Sequence, residues 1–371
     1  MKAFRVGRVA AVLSVAALAL TACGSDNATG GGEQPAGSAS AGAGVSGTLS
    51  GAGASSQDSA MQAWSAGFTK QNPEANVQYS PDGSGAGRDN FLAGGVQFAG
   101  SDAYMDEEEF EKAKEVCGPE GAFHIPSYVS PIAVAFNLEG VDELNLDAET
   151  IAKIFRGEIK NWNDEAIAAL NEGVELPDTP ITVVHRADES GTTENFVEYL
   201  SAAAPDVWTD EVSGDWPAAI VAENAQGTSG VVSAASSTDG AITYADASAV
   251  GDLGTVKVKV GEEFVGYSPE AAAKAVEAAT PVEGRGDVDM SLDLKRDTTE
   301  SGAYPIVLVS YHIFCSSYDS QETVDLVKAF GEYVVSEDGQ QAAADSAGSA
   351  PISDNLREQA QTAIDSIKVA S

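Results

Sequence analysis

The sequence predicts an α/β protein with an open, largely parallel sheet. Strands and helices alternate from Val45 onward. Two long apolar, β-rich runs, Ile125–Asn137 and Tyr304–Tyr311, are suited to cross between two lobes. Length adds a third indication, since residues 47–371 are enough for two lobes with substantial cores.

The elements follow in order. Val45–Ser56 is a short strand running into a turn of Gly, Ala and Ser, after which Met61, Trp64 and Phe68 share one helical face. Asn76–Tyr79 is a strand, and Pro81–Gly87 is a glycine-rich turn opening a helix through Phe91 and Leu92. Val96–Asp102 makes a third strand and turn before an acidic helix from Asp106 to Glu115. Ala148–Asn163 reads as helix and loop, Ile181–Val184 as a strand, and Phe196, Val197 and Leu200 as the face of the next helix. A Gly/Ser-rich turn at Ala225–Gly230 belongs to another strand-helix-strand unit, ending at Ala241–Tyr244. Helices at Val324–Val335 and Asp354–Ile367 close the chain, the second with Leu356, Ala360, Ala363, Ile364 and Ile367 as a core stripe.

Residues 1–22 read as a signal peptide: Lys2, Arg5 and Arg8 precede an apolar run from Val9 to Leu20 that is too short for a permanent span. Leu20-Thr21-Ala22-Cys23 resembles a bacterial lipobox, which implies cleavage before Cys23 and lipidation of its sulfur. That anchors the protein on the extracytoplasmic face of the cell membrane. Gly24–Ser46 is almost wholly small residues and reads as a flexible tether with a root-mean-square span of roughly 26 Å.

The formal charge is −37, and without the three basic residues of the signal it is −40. Such a charge argues against nucleic acid and against adsorption to anionic lipid. His124, His185 and His312 lie far apart and no CxxC occurs, so neither a metal nor any other cofactor is expected.

The chemistry concentrates at turns. Arg186-Ala187-Asp188-Glu189-Ser190-Gly191-Thr192-Thr193 follows a strand and opens a helix. Free N–H groups, a helix dipole, hydroxyls, one arginine and a glycine together suit a small anion. A plain helix cap by Ser190 or Thr192, with Arg186 paired to Asp188 on the surface, is the competing reading. Gly53-Ala54-Ser55-Ser56, Gly83-Ser84-Gly85 and Ser101-Asp102 are also placed where a strand gives way to a helix. Four such turns in one α/β chain indicate convergence on one ligand, at the carboxyl ends of strands.

These residues, in this order, resemble the phosphate-binding lipoproteins of bacterial ABC-type phosphate importers (the PstS type). The matching segments are Gly51–Ser55, Asp82–Gly85, Phe98–Asp102, Ile154–Trp162 and Val184–Thr192, and the likeness runs from residue 47 to the C-terminus. The resemblance implies a two-lobe periplasmic-binding-protein fold of type II, each lobe a mainly parallel sheet flanked by helices. It further implies one phosphate held between the lobes, delivery to a membrane permease, no catalysis and a monomer. Lobe I would comprise 47–128 and 305–371, lobe II 129–304. Carried over, Ser55, Ser84, Ser190 and Thr192 donate hydroxyls, and Ser56 and Gly191 donate backbone N–H groups. Arg186 supplies positive charge, oriented by Asp188, and Asp102 faces the ligand as a carboxylate. One departure stands out: the family often has an aromatic residue where this chain has Ser56. Cys117 and Cys315 both fall in lobe I and are expected to form a disulfide. Another oxyanion such as sulfate or molybdate, a serine-dependent hydrolase, and an adhesive or signalling lipoprotein remain the alternatives. No G-x-S-x-G stands at a strand end to support the hydrolase.

Overall fold

A computed structural model describes residues 44–371. The expected signal peptide, Cys23 and all but the last residues of the expected tether lie outside the described residues. Val45, ahead of the expected start of the lobe at residue 47, donates its N–H to Asn72 Oδ1 at 3.3 Å.

The strands are β1 Gly47–Gly53, β2 Ala75–Ser80, β3 Phe98–Ser101, β4 Ala122–Phe136, β5 Glu143–Leu146, β6 Thr182–Arg186 and β7 Glu223–Ala225. They continue with β8 Ala241–Asp246, β9 Gly254–Val260, β10 Glu263–Val265, the short pair β11 Thr280–Pro281 and β12 Leu292–Asp293, and β13 Val307–Cys315. The helices are α1 Asp58–Gln71, α2 Ser84–Leu92, α3 Glu107–Cys117, α4 Ala148–Phe155, α5 Glu165–Leu170 and α6 Gly191–Ala203. After them come α7 Gly227–Ser236, α8 Pro269–Val276, α9 Gln321–Val335, α10 Glu337–Ala347 and α11 Asp354–Asp365.

One curled sheet runs β2-β1-β3-β13-β4-β8-β6-β7, with β9 branching from β4 and carrying β5 and β10. The two ends of this path are parallel: β1 with β2 and β3, and β6 with β7 and β8. Its middle is antiparallel, where β13 pairs with β3 and β4, and β4 with β8. All residues of β4 and β13 are buried, which explains their near-continuous apolar character. Pro126 and Pro131 mark where β4 changes course. Pro126 adjoins a register shift opposite Ser310 and Tyr311, and Pro131 is the last residue paired with β13 before β4 turns to β8 at Ile132. A proline, which offers no N–H, fits at each of these irregular points.

One expectation is corrected. Ser101-Asp102 is not a helix mouth: α3 starts at Glu107, capped by Asp106 in a reciprocal arrangement with Glu109, because that acidic run supplies its own cap. Ser55–Gln57 forms a turn of 3-10 helix before α1 begins at Asp58. The Cys117–Cys315 disulfide is present, joining the end of α3 to the end of β13.

Candidate functional site

The carboxyl ends of β1, β2, β3 and β6 bring the predicted turns together. Gly53 ends β1 at φ +149°, and a Cβ there would sit 1.9 Å from Gly100 O, so only glycine lets β1 and β3 lie this close. Ser55 and Ser56 follow at once. Ser84 is the first residue of α2, whose cap residue Gly83 provides no side-chain acceptor.

Asp102 is the hub. Its side chain is buried, and Oδ2 accepts from Ser56 Oγ at 2.6 Å and from Thr192 Oγ1 at 3.0 Å. Oδ1 accepts from Ser310 Oγ at 2.7 Å. The Asp102 N–H donates to Ser84 Oγ at 3.2 Å, and Asn195 Nδ2 donates to Asp102 O at 2.7 Å. Burial raises the Asp102 carboxyl; the three hydroxyls and the charge of Arg186 oppose that rise.

Arg186 ends β6 and is buried at 3 % exposure. Its Nε donates to Asp188 Oδ1 at 2.9 Å, and Nη2 is paired with Asp188 Oδ2. Asp188 also accepts the Gly227 N–H at 2.9 Å. The Arg186 N–H donates to the Tyr244 hydroxyl at 3.3 Å, and Tyr244 stacks on Phe196 with centroids 4.5 Å apart. Arginine is thus fixed from both ends, by a fork of carboxylate oxygens and by an aromatic floor.

Ser190 caps α6, accepting from Thr193 N at 3.2 Å. The first turn of α6 then runs straight into Asp102. A Cβ on Gly191 would meet Asp102 Cβ and Ser84 Oγ, each at 2.8 Å, so glycine is required for the two turns to touch. Ser55, in contrast, turns to α7: its hydroxyl hydrogen-bonds Thr228 Oγ1 at 3.0 Å and accepts the Thr228 N–H at 3.0 Å. Beside the site, Arg88 ties Glu109 at 2.8 Å to Glu189 at 2.7 Å.

Ser55, Ser56, Ser84, Asp102, Arg186, Asp188, Ser190, Gly191 and Thr192 therefore lie in one contiguous constellation. Sequence reasoning missed Ser310, Thr228 and Asn195. The Gly/Ser-rich turn before Val231 was a visible signal for Thr228; Ser310 is a lone hydroxyl in an apolar strand and gave none. Among the described residues no histidine hydrogen-bonds a serine of this group. His124 pairs with Asp289, His185 stacks on Trp216, and His312 is enclosed by aromatic rings.

Comparison with known proteins identifies the family. Residues 38–338 match the model of the PBP superfamily domain. The chain is 36% identical over 375 residues to phosphate-binding protein PstS 3 of Mycobacterium leprae, covering 99% of this chain and 100% of that one. It is 34% identical to phosphate-binding protein PstS 2 of Mycobacterium tuberculosis, with the same coverage. Among solved structures, a phosphate-binding protein from Stenotrophomonas maltophilia superposes with a TM-score of 0.65 at 22% identity, covering 85% of this chain and 94% of that one. The periplasmic phosphate-binding protein PfluDING, bound with phosphate, gives 0.67 at 21%, covering 85% and 93%. These structures establish the periplasmic-binding-protein fold. On the sequence match, the chain belongs to the PBP superfamily and, within it, to the PstS-type phosphate-binding proteins.

Proposed function

We propose that this chain captures inorganic phosphate outside the cytoplasm, between the turns of Ser55, Ser84 and Asp102 and the turn from Arg186 to Thr192. It then delivers the anion to the permease of an ABC importer. One observation carries the reading: a buried carboxylate stands among hydroxyls, a helix N-terminus and a fixed arginine. A carboxylate accepts hydrogen bonds and has none to give, so beside an anion it tolerates only a ligand that carries a proton. Phosphate at neutral pH carries one and sulfate does not. For sulfate the same carboxylate is an unpaired, repelling charge.

The hydrogen bonds supply a route for the exchange. Asp102 Oδ2 already takes two donors, from Ser56 and Thr192. An oxygen accepts about two hydrogen bonds, so a phosphate O–H displaces one of them. The released hydroxyl then donates to a phosphate oxygen, leaving no polar group stranded. Ser84, Ser190 and the N–H groups of Ser56 and Gly191 add donors. Arg186 offsets the charge, since its Nη1 has no protein partner among the described residues. Micromolar binding requires about 8 kcal/mol, within reach of several hydrogen bonds to a charged group at about 1.5–3 kcal/mol each.

Lobe I is 47–128 with 305–371 and lobe II is 129–304; the protein is a monomer without catalytic activity. The chain is cleaved before Cys23, whose sulfur is lipidated, and the tether to residue 46 holds the domain near the permease. Titration of the ligand-stripped protein with phosphate in a calorimeter tests the reading. Saturable one-to-one binding at micromolar or lower concentration supports it, and the absence of heat across that range contradicts it.

A further inference from the structure

Asp102 has three hydroxyl donors, and one of them differs from the other two. Ser56 and Thr192 both donate to Oδ2, on the side where a phosphate hydroxyl competes with them. Ser310, on β13 and without exposed surface, donates to Oδ1 at 2.7 Å. It stays on the carboxylate while the ligand rearranges the Oδ2 side. The pairing of β13 with β4 shifts between Ser310 and Tyr311, an irregularity of the kind that re-aims a side chain beside a site.

A second buried group sets the direction of that hydroxyl. Gln57 ends the turn that carries Ser55 and Ser56, and it too has no exposed surface. Its Nε2 donates to Ser310 Oγ at 2.8 Å and to Tyr311 O at 3.0 Å. A backbone carbonyl only accepts, so Tyr311 O fixes which end of the amide faces β13. An amide hydrogen therefore meets Ser310 Oγ, and the single proton of the serine goes to its other partner, Oδ1 of Asp102. Gln57 Oε1 is left buried without a partner, which costs stability. It is pressed against β3, where a Cβ on Gly100 would sit 2.5 Å from it, so glycine makes room for the amide. Both amide protons are spent on β13 while the amide oxygen goes unpaired, an arrangement that serves Ser310 and not Gln57 itself.

We propose that Gln57 and Ser310 are positioning residues that set the selectivity of the anion site: the amide aims the hydroxyl at Asp102 Oδ1 and so holds that carboxyl as an acceptor, with only Oδ2 turned to the ligand. The selectivity argued above needs Asp102 without a proton, because a neutral acid donates to sulfate as well as to phosphate. Burial favours the neutral acid, and the hydroxyls of Ser56, Ser310 and Thr192 with the charge of Arg186 oppose it. Among those hydroxyls, Ser310 alone has no part in holding the ligand. The inference rests on the phosphate reading and extends it to two residues that the ligand does not touch.

The test measures sulfate and phosphate affinity from about pH 5 to 8, a range that starts just above ordinary carboxyl values, in the wild type, Ser310→Ala and Gln57→Met. Sulfate keeps its charge throughout that range, so a pH trend in its binding comes from the protein. Ser310→Ala removes the fixed donor, and Asp102 then takes up a proton at the acid end. Sulfate should bind this variant about tenfold more tightly there than at the alkaline end, the factor expected from one hydrogen bond to a charged group. Gln57→Met removes the amide that aims Ser310 and should change in the same direction by a smaller factor. It also carries the test if Ser310→Ala does not fold.

Other charged groups surround Asp102. They are Arg186 with Asp188, Arg88 of α2 with Glu109 and Glu189, Glu194 of α6 and Asp246 of β8. Burial raises Glu194 to about 7 and Asp246 to about 6, and it keeps Tyr79 and Tyr128 neutral over the range. All are common to the three proteins, so the difference from wild type isolates Asp102. Sulfate binding with the wild-type pH dependence in both variants overturns the proposal, as does an equal loss of both anions at every pH, the mark of a purely structural role. A change confined to Ser310→Ala would remove Gln57 from it. Failure of the wild type to bind phosphate would contradict the phosphate reading, whatever the variants do with sulfate.

Discussion

Thr192 Oγ1 donates to Asp102 Oδ2 at 3.0 Å, a contact between residues 90 apart in the chain. It joins the start of α6 to the turn after β3, and it is one of the two donors that a phosphate hydroxyl can replace. Thr192→Val keeps the shape and removes the hydroxyl. Phosphate affinity should fall by tenfold or more, on the order of 1.5–3 kcal/mol, while Thr192→Ser retains most of it. Titration of both variants checks this, and equal affinity in the valine variant would show that Thr192 does not contact the ligand.

Arg186 and Asp188 form a buried pair, with side chains 2% and 8% exposed. Removing one partner strands the other, so Asp188→Ala should lower stability by about 3–5 kcal/mol. It also frees the Gly227 N–H and unfixes the guanidinium, so phosphate binding should weaken together with the melting temperature. Chemical denaturation of the variant provides the comparison, and a loss below about 1 kcal/mol would place Asp188 among ordinary surface acids.

Much of this site was legible because turns that bind anions have a restricted vocabulary. Glycine permits close approach, as at Gly53 and Gly191, and hydroxyl residues recur where strands end. Ser310 was invisible since nothing near it in sequence differs from a core strand; it reaches Asp102 only because β13 lies beside β3. α10 escaped notice for a related reason. Its sequence, EDGQQAAADSA, has no apolar stripe, and tertiary contacts hold it: Ser336 caps it and Trp64 Nε1 donates to Gly339 O at 2.8 Å. Long-range pairing places such residues, and short-range periodicity does not record it.

The Cys117–Cys315 bond closes a loop with a sequence separation of 198. In the chain-entropy account a loop of this length stabilises the fold by about 5 kcal/mol. Denaturant unfolding with and without reductant should separate the two states by several kcal/mol. Coincident curves would mean that the pair contributes little.

Acid stability should depend on Asp289. His124 Nε2 accepts the Met105 N–H at 3.0 Å, which leaves Nδ1 to meet Asp289 Oδ2 at 2.6 Å. Burial works to raise the Asp289 carboxyl, but His124 and Ser291 outweigh it and hold it at about 2. A depressed carboxyl contributes stability that is full above its unfolded value of about 3.9 and lost as the pH falls toward its folded one. Asp289→Asn should therefore be less stable than wild type at pH 6, with the difference closing toward pH 2. A gap that does not change with pH would rule out this linkage.

The central claim is that Asp102 selects a protonated oxyanion. Calorimetric titration of the ligand-stripped protein with phosphate and then sulfate, in wild type and Asp102→Asn, tests it most directly. The wild type should bind phosphate and give no measurable heat with sulfate. The asparagine variant, whose amide can donate to an unprotonated oxygen, should gain sulfate binding and lose phosphate selectivity by at least tenfold. Sulfate binding by the wild type comparable to that of phosphate would contradict the account.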